Sequence, residues 1–220
     1  MDVTPVVYIE PMDTRAGNRG LGATQFLGAE ACAGCGSRGA VLCTGCRSRL
    51  ARPLQDARVP GVKQVLAPWD YAGAARSLIL ALKLRGRRSA AEPLADAMTK
   101  EALARGLEGS AIAWVPGHRA DTCLRGYDHA EVLAAEVGAR LGLPVLRLLR
   151  RAGPRRADQT ALGREDRWAN LEGAFLARNC RAGVVVVDDL VTTDAPAGAR
   201  RQALRNAGAQ TVELLAACRA

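Results

Sequence analysis

Residues 184–196, Val-Val-Val-Val-Asp-Asp-Leu-Val-Thr-Thr-Asp-Ala-Pro, constrain the fold more than any other part of this 220-residue chain. Four consecutive β-branched residues at 184–187 do not alternate between core and water, so they fit a strand covered on both faces, as in a parallel sheet. A short loop, a helix-compatible segment over 197–206 and an apolar strand pattern over 211–217 follow. Such a strand, helix, strand unit is expected to have a right-handed crossover. Open parallel sheets bind ligands beyond the carboxyl ends of their strands, which is where this reading places Asp188 and Asp189.

The residue types at that edge suit a phosphorylated sugar. Asp188 and Asp189 can accept hydrogen bonds from two vicinal ribose hydroxyls, while Thr192, Thr193 and the free amides opening the next helix can hold a phosphate. The simpler reading is an Asp-capped helix after a core strand.

The same alternation of helix and strand runs upstream. Residues 74–84 and 93–105 read as helices, the second placing Leu94, Ala97, Met98 and Ala102 on one face. A short strand is expected at 111–115, a helix at 130–141, a second strand at 145–149 and a brief one at 174–176. Residues 150–170 carry many charges with little periodicity, the mark of a functional lid or a disordered loop. The fold class expected is α/β, a mainly parallel sheet preceded by a small cysteine-rich module. Three parts are expected: a leader over 1–30, a four-cysteine module and linker over 31–68, and the main domain over 69–220. The apolar content of 49% is enough for a core of that size.

The net charge of +9 comes almost entirely from arginine, the lysines being Lys63, Lys83 and Lys100. It favours anionic partners, nucleic acid or polyphosphate, or simply a solvated basic surface. The apolar runs are far short of a membrane span and the first residues lack a signal pattern, so the chain reads as cytoplasmic.

Cys32 and Cys35 form one Cys-x-x-Cys pair and Cys43 and Cys46 another, with seven residues between the pairs. Two such knuckles suit the tetrahedral thiolate coordination of a structural zinc, and a closed four-thiolate site leaves no position for a reactive water. The core of the main sheet is expected to lie apart from this module. Arg38, Arg47, Arg49 and Arg52 around the knuckles keep a contact with nucleic-acid phosphates open. Cys218 reads as a buried strand residue.

The segment at 184–196 resembles the phosphoribosyl pyrophosphate (PRPP) motif of type I phosphoribosyltransferases, a hydrophobic strand running into two acids and Thr-Thr-Gly-Ala-Thr. With the cysteine pairs it makes the chain similar to the ComF family, phosphoribosyltransferase-like proteins linked to natural competence. Residues 71–86 resemble that family's aromatic, Arg and Leu-Lys-x-x-Gly block. Val115, Pro116 and His118 match a Val-Pro-x-His segment, and residues 125–129, Arg-Gly-Tyr-Asp-His, a block that follows it. Gln159, Arg167, Asn170, Gly173 and Phe175 match spaced positions before the final strands.

The resemblance implies a type I phosphoribosyltransferase fold in which PRPP, as its magnesium complex, loses pyrophosphate to a nitrogen nucleophile. Asp188 and Asp189 would serve the ribose hydroxyls. Thr192, Thr193, Asp194 and Ala195 would serve the 5′-phosphate, and Gly117, His118 and Arg119 the pyrophosphate, with Arg125 and the arginines of 150–156 in support. His129 is a further, lone candidate. The implied partners are PRPP or another phosphorylated ribose, single- or double-stranded DNA, and proteins of the competence machinery. The chain departs from the motif at Asp194, in place of Gly, and Pro196, in place of Thr. A carboxylate where a phosphate should sit and a residue without an amide hydrogen predict weak or lost PRPP-dependent transferase activity. The alternative is a zinc-ribbon nucleic-acid-binding module on a catalytically inactive scaffold.

Overall fold

The computed structural model describes residues 30–54, 58–151, 175–192 and 196–220. Its centre is a sheet in which every pairing is parallel. The longest strands are β6 (Gly183–Val191) and β7 (Thr211–Arg219), paired in register from Gly183 opposite Thr211 to Val191 opposite Arg219. β3 (Ala111–Trp114) flanks β6, and β1 (Val65–Leu66) and β2 (Trp69–Asp70) both pair with β7. The expected mainly parallel α/β architecture is therefore present. The sheet takes its first strand from Val65 and Leu66, inside the segment read as a linker.

Period-two alternation along the central strands sends side chains into two cores. Ile112, Trp114, Val185, Val187, Leu215 and Ala217 pack on one face. Ala113, Val115, Val184, Val186, Val212, Leu214 and Ala216 pack on the other. The first face is covered by α2 (Gly73–Leu84), α3 (Ala91–Ala104) and α5 (His129–Leu141). In α2, Ala75, Leu78, Ile79 and Leu82 are buried at helical spacing. α5 is capped by Asp128, whose carboxylate accepts from the Ala130 amide, and ends on Gly142 at φ 68°, where a side chain would be strained. The second face is covered by α6 (Pro196–Asn206), through Leu204 with Ala199 and Ala203.

The strand expected at 145–149 does not form. Val145 makes one parallel bridge to Ile112, and then a three-residue turn, with the Leu148 amide on the Leu146 carbonyl at 2.9 Å, takes the chain off the sheet edge. It extends again as β4 (Leu149–Arg151), which pairs antiparallel with β5 (Phe175–Ala177) away from the main sheet. The intervening residues of the expected lid lie outside the described residues.

The cysteine segment contains one short helix, α1 (Thr44–Arg47). Cys32, Val41, Leu42 and Cys46 belong to the same buried cluster as Leu78, Leu82 and Leu94. The expectation of a separate core is thus corrected: a segment too short to bury its own apolar residues uses the outer surface of α2 and α3 instead.

Candidate functional site

The paired acids lie inside β6, where the sequence reading had placed them after its end. Both are buried. Successive residues of a strand face opposite sides, and the two carboxylates follow that rule. Asp189 Oδ2 accepts from Lys83 Nζ of α2 at 2.8 Å and lies 3.6 Å from His129 Nε2 at the start of α5. Asp188 Oδ2 accepts from Arg200 Nη1 of α6 at 2.6 Å, and its Oδ1 accepts from the Asp189 amide at 2.9 Å. Each acid therefore has its own cation from the helix layer it faces.

The two environments push the acids apart. Burial, reinforced by the neighbouring Asp189 charge and only partly offset by Arg200, raises Asp188 to about 6. Burial acts the same way on Asp189, but the His129 hydrogen bond and the Lys83 ammonium outweigh it and hold that carboxyl well below the usual range. Cys218 beside them is pushed up to about 12 by burial and by the charges of Asp189 and Asp70, which makes it an inert core thiol.

Parallel register brings a second candidate segment to the same edge. The Val115 amide donates to the Val187 carbonyl at 3.2 Å, so residues 116–119 continue beside Asp188. The Gly117 amide donates to Asp128 Oδ2 at 2.9 Å. A Cβ on Gly117 would come within 3.2 Å of Thr122 Oγ1 and 3.7 Å of an Arg125 terminal nitrogen, so the glycine leaves open a small polar recess. His118 is the N-cap of α4 (Arg119–Arg125), and Arg119 is exposed. Arg125 turns back to α2, where it donates to the Lys83 carbonyl at 3.0 Å. Thr192 follows β6 directly and is half-buried. Thr193, Asp194 and Ala195 lie outside the described residues, as do Gln159, Arg167, Asn170 and Gly173.

Lys83 and Arg200 were missed as site residues. Lys83 could have been found, because it is one of three lysines and ends an apolar helical run; Arg200 carries no sequence signal beyond its distance from the acids. His129, a lone candidate in sequence, is buried against Asp189, with its Nδ1 lacking a hydrogen-bond partner among the described residues.

The ligand atoms of Cys32, Cys35, Cys43 and Cys46 all lie within 4.8 Å of one another. The Cys35 and Cys43 sulfurs are 3.6 Å apart, too far for a disulfide and close to the spacing of two thiolates on one tetrahedral zinc. The Cys43 amide donates to Cys32 Sγ at 3.4 Å and Arg49 reaches Cys46 Sγ at 3.8 Å, donors that suit negatively charged sulfur. These four side chains can hold a metal ion. Of the arginines around them, Arg47 pairs with Asp96 at 3.9 Å and Arg52 with Glu101 at 3.4 Å. No described helix is long and apolar enough to cross a membrane.

No protein-family model and no curated protein matches the chain. Among solved structures it is similar to the allosteric regulatory enzyme of purine biosynthesis, at 17% identity and a TM-score of 0.40, over 58% of this chain and 26% of that one. It is also similar to adenine phosphoribosyltransferase from Leishmania tarentolae, at 15% identity and a TM-score of 0.35, over 57% of this chain and 55% of that one. The chain thus spans about a quarter of the first protein and about half of the second, and likenesses this distant carry no functional weight. The molecule's own geometry defines it as a mainly parallel α/β protein with a buried acid pair near the carboxyl edge and a four-cysteine cluster against its helices.

Proposed function

We propose that the carboxyl edge of the sheet, on a type I phosphoribosyltransferase-like scaffold, is a site for PRPP or another phosphorylated ribose, with transferase activity weak or lost. The observation that carries this reading is that Asp188 and Asp189 sit at that edge already neutralised from within, by Arg200 and by Lys83 with His129. A sugar hydroxyl must compete with those partners for each carboxylate, and the competition weakens binding. Asp194 and Pro196 in the phosphate turn act in the same direction, through charge and through a missing donor.

The residues would divide the ligand between them. Asp188 and Asp189 address the ribose, Thr192, Thr193 and the amides that open α6 address the 5′-phosphate, and Gly117, His118 and Arg119 with Arg125 address the pyrophosphate. Magnesium enters with the diphosphate as part of the substrate. Departure of pyrophosphate leaves positive charge on the sugar, so orientation and fixed donors for the departing pyrophosphate contribute more than a strong base. Zinc held by Cys32, Cys35, Cys43 and Cys46 is structural. The sequence resemblance to the ComF family extends the proposal to a role in competence-related DNA uptake.

The test is calorimetry with PRPP and magnesium on the native protein and on the Asp194→Gly, Pro196→Thr double variant. Weak binding that tightens at least tenfold in the double variant is the expected outcome. Absence of binding in both proteins overturns the ribose-phosphate site. Tight native binding overturns the impairment.

A further inference from the structure

Arg200 lies one turn into α6 and uses its guanidinium in more than one way. Nη1 holds Asp188 at 2.6 Å, the guanidinium carbon stands 5.7 Å from the centre of the Phe175 ring, and Nε is buried without a partner among the described residues. Arg151, the last residue of β4, places its own guanidinium 5.1 Å from the same ring and donates Nε to the Pro116 carbonyl at 2.8 Å. Two arginines from different elements thus converge on one aromatic side chain, next to the backbone that leads into Gly117. Burial and then repulsion from Arg200 lower the Arg151 pKa, against the attraction of Asp188, Asp128 and Asp121.

Such an arrangement is poised for an added anion. Guanidinium forks match the paired oxygens of phosphate, an orphaned buried N–H gains an acceptor, and repulsion between the two cations is relieved. The Phe175 ring keeps both planar groups in place without using their in-plane donors. A forked oxoanion takes two adjacent donors, Nε with a terminal nitrogen, and shares the single positive charge of Arg200 with Asp188, so it competes with that carboxylate for the guanidinium.

We propose that Arg151 and Arg200 form a phosphate- or diphosphate-binding pair, and that an anion taken by this pair draws Arg200 off Asp188 and frees that carboxylate for a ligand hydroxyl. Arg200 is then an internal counter-cation that closes the acid site until the anionic end of the ligand arrives. The inference rests on the ribose-phosphate reading of the same edge. It adds an order of events, anion first and diol second, and a positive coupling between the two.

The experiment uses the full chain, with inorganic pyrophosphate as the anion and ribose 5-phosphate as the diol, at constant ionic strength and with sulfate as the control. Native protein is expected to bind pyrophosphate better than sulfate, and Arg151→Gln and Arg200→Gln to lose at least tenfold in pyrophosphate affinity. Saturating pyrophosphate is expected to tighten ribose 5-phosphate binding several-fold in the native protein and to leave it unchanged in Arg200→Gln. Since Arg200→Gln strands Asp188, the double variant Arg200→Gln, Asp188→Asn serves as a folding guard, and it is expected to lose pyrophosphate affinity to the same degree. Equal pyrophosphate binding in all proteins, or no preference over sulfate, overturns the pair as an anion site. Pyrophosphate binding without coupling to ribose 5-phosphate overturns the release of Asp188. Failure of PRPP binding alongside an arginine-dependent pyrophosphate response would remove the substrate reading and leave the anion pair standing.

Discussion

At the residue scale, buried charge is tolerated where the surrounding elements supply its partners. Glu213 in β7 is fully buried, yet it accepts from Gln64 Nε2 at 2.6 Å, the Gly109 amide at 2.7 Å and the Glu108 amide at 3.1 Å. It thereby ties the start of β3 and the segment before β1 to the centre of the sheet. Glu213→Ala strands three donors and is expected to cost about 3–4 kcal/mol in urea unfolding, whereas Glu213→Gln, which keeps the shape, should cost about half of that. Asp188 behaves differently. Its folded-state value of about 6 lies above the ordinary 3.8, so the folded protein binds its proton more tightly than the unfolded chain does. Its contribution to stability is fully present below the ordinary value and is lost as pH rises through about 6. Asp189, held low, contributes in the opposite sense: its stabilisation is present above the ordinary value and lost as pH falls through its folded value. Between pH 4 and 6 the stability of the native protein relative to Asp188→Asn should therefore fall by about 2 kcal/mol. A flat difference across that window would show that Asp188 titrates normally.

At the element scale, close approach fixes where α5 meets the sheet. A Cβ on Gly138 would stand 2.4 Å from Val145 Cγ2 and 3.1 Å from the Leu143 carbonyl oxygen, so the helix and the returning chain touch through the missing side chain. Gly138→Ala improves helix propensity by about 1 kcal/mol. The severe contact is with the short β-branched Val145 side chain, which has little freedom to turn away, the Leu143 backbone oxygen is close behind it, and overpacking of this kind costs about 1–3 kcal/mol. The net effect expected is a lower melting temperature despite the better helix former, and a rise would mean that the 143–145 segment yields freely. α2 shows how one element serves two regions. Its first turn approaches the cysteine cluster, where a Cβ on Gly34 would lie 3.0 Å from Ala74 Cβ, and its last turn delivers Lys83 to Asp189. The Tyr127 hydroxyl on the Leu82 carbonyl and Arg125 on the Lys83 carbonyl fix that end further.

At the scale of the whole molecule, the cysteine segment shares the core of the main sheet's helical layer. Metal loss should therefore be felt beyond the segment itself. Cys43→Ser is expected to purify without zinc by elemental analysis and to unfold several degrees below the native protein, with the loss visible in the main transition. Full zinc retention in that variant would remove the four-thiolate assignment, and an unchanged main transition would show that α2 and α3 hold without the module. The basic surface is partly used internally as well, since Arg47 and Arg52 near the knuckles pair with acids of α3.

The order of elements was legible in the sequence because local patterns specify it. Apolar spacing marked α2, α3 and α5, the β-branched run marked β6, and paired cysteines marked a cluster whose ligands come from one short stretch. The strand expected at 145–149 failed because periodicity does not encode which neighbour an extended segment pairs with; a turn at Arg147 passed it to β5 instead. The acid pair was visible as two adjacent carboxylates, but not that β6 continues through them and turns them to opposite faces. Their cations come from separate elements, Lys83 from a helix 106 residues before Asp189 on one side of the sheet and Arg200 from the next helix, 12 residues after Asp188, on the other. Sequence determines which residues stand at the strand's carboxyl end, since that follows from local hydrogen bonding and hydrophobic period. Only the packing of helices onto the two faces decided which charge each acid meets, because that depends on distances closed by the fold.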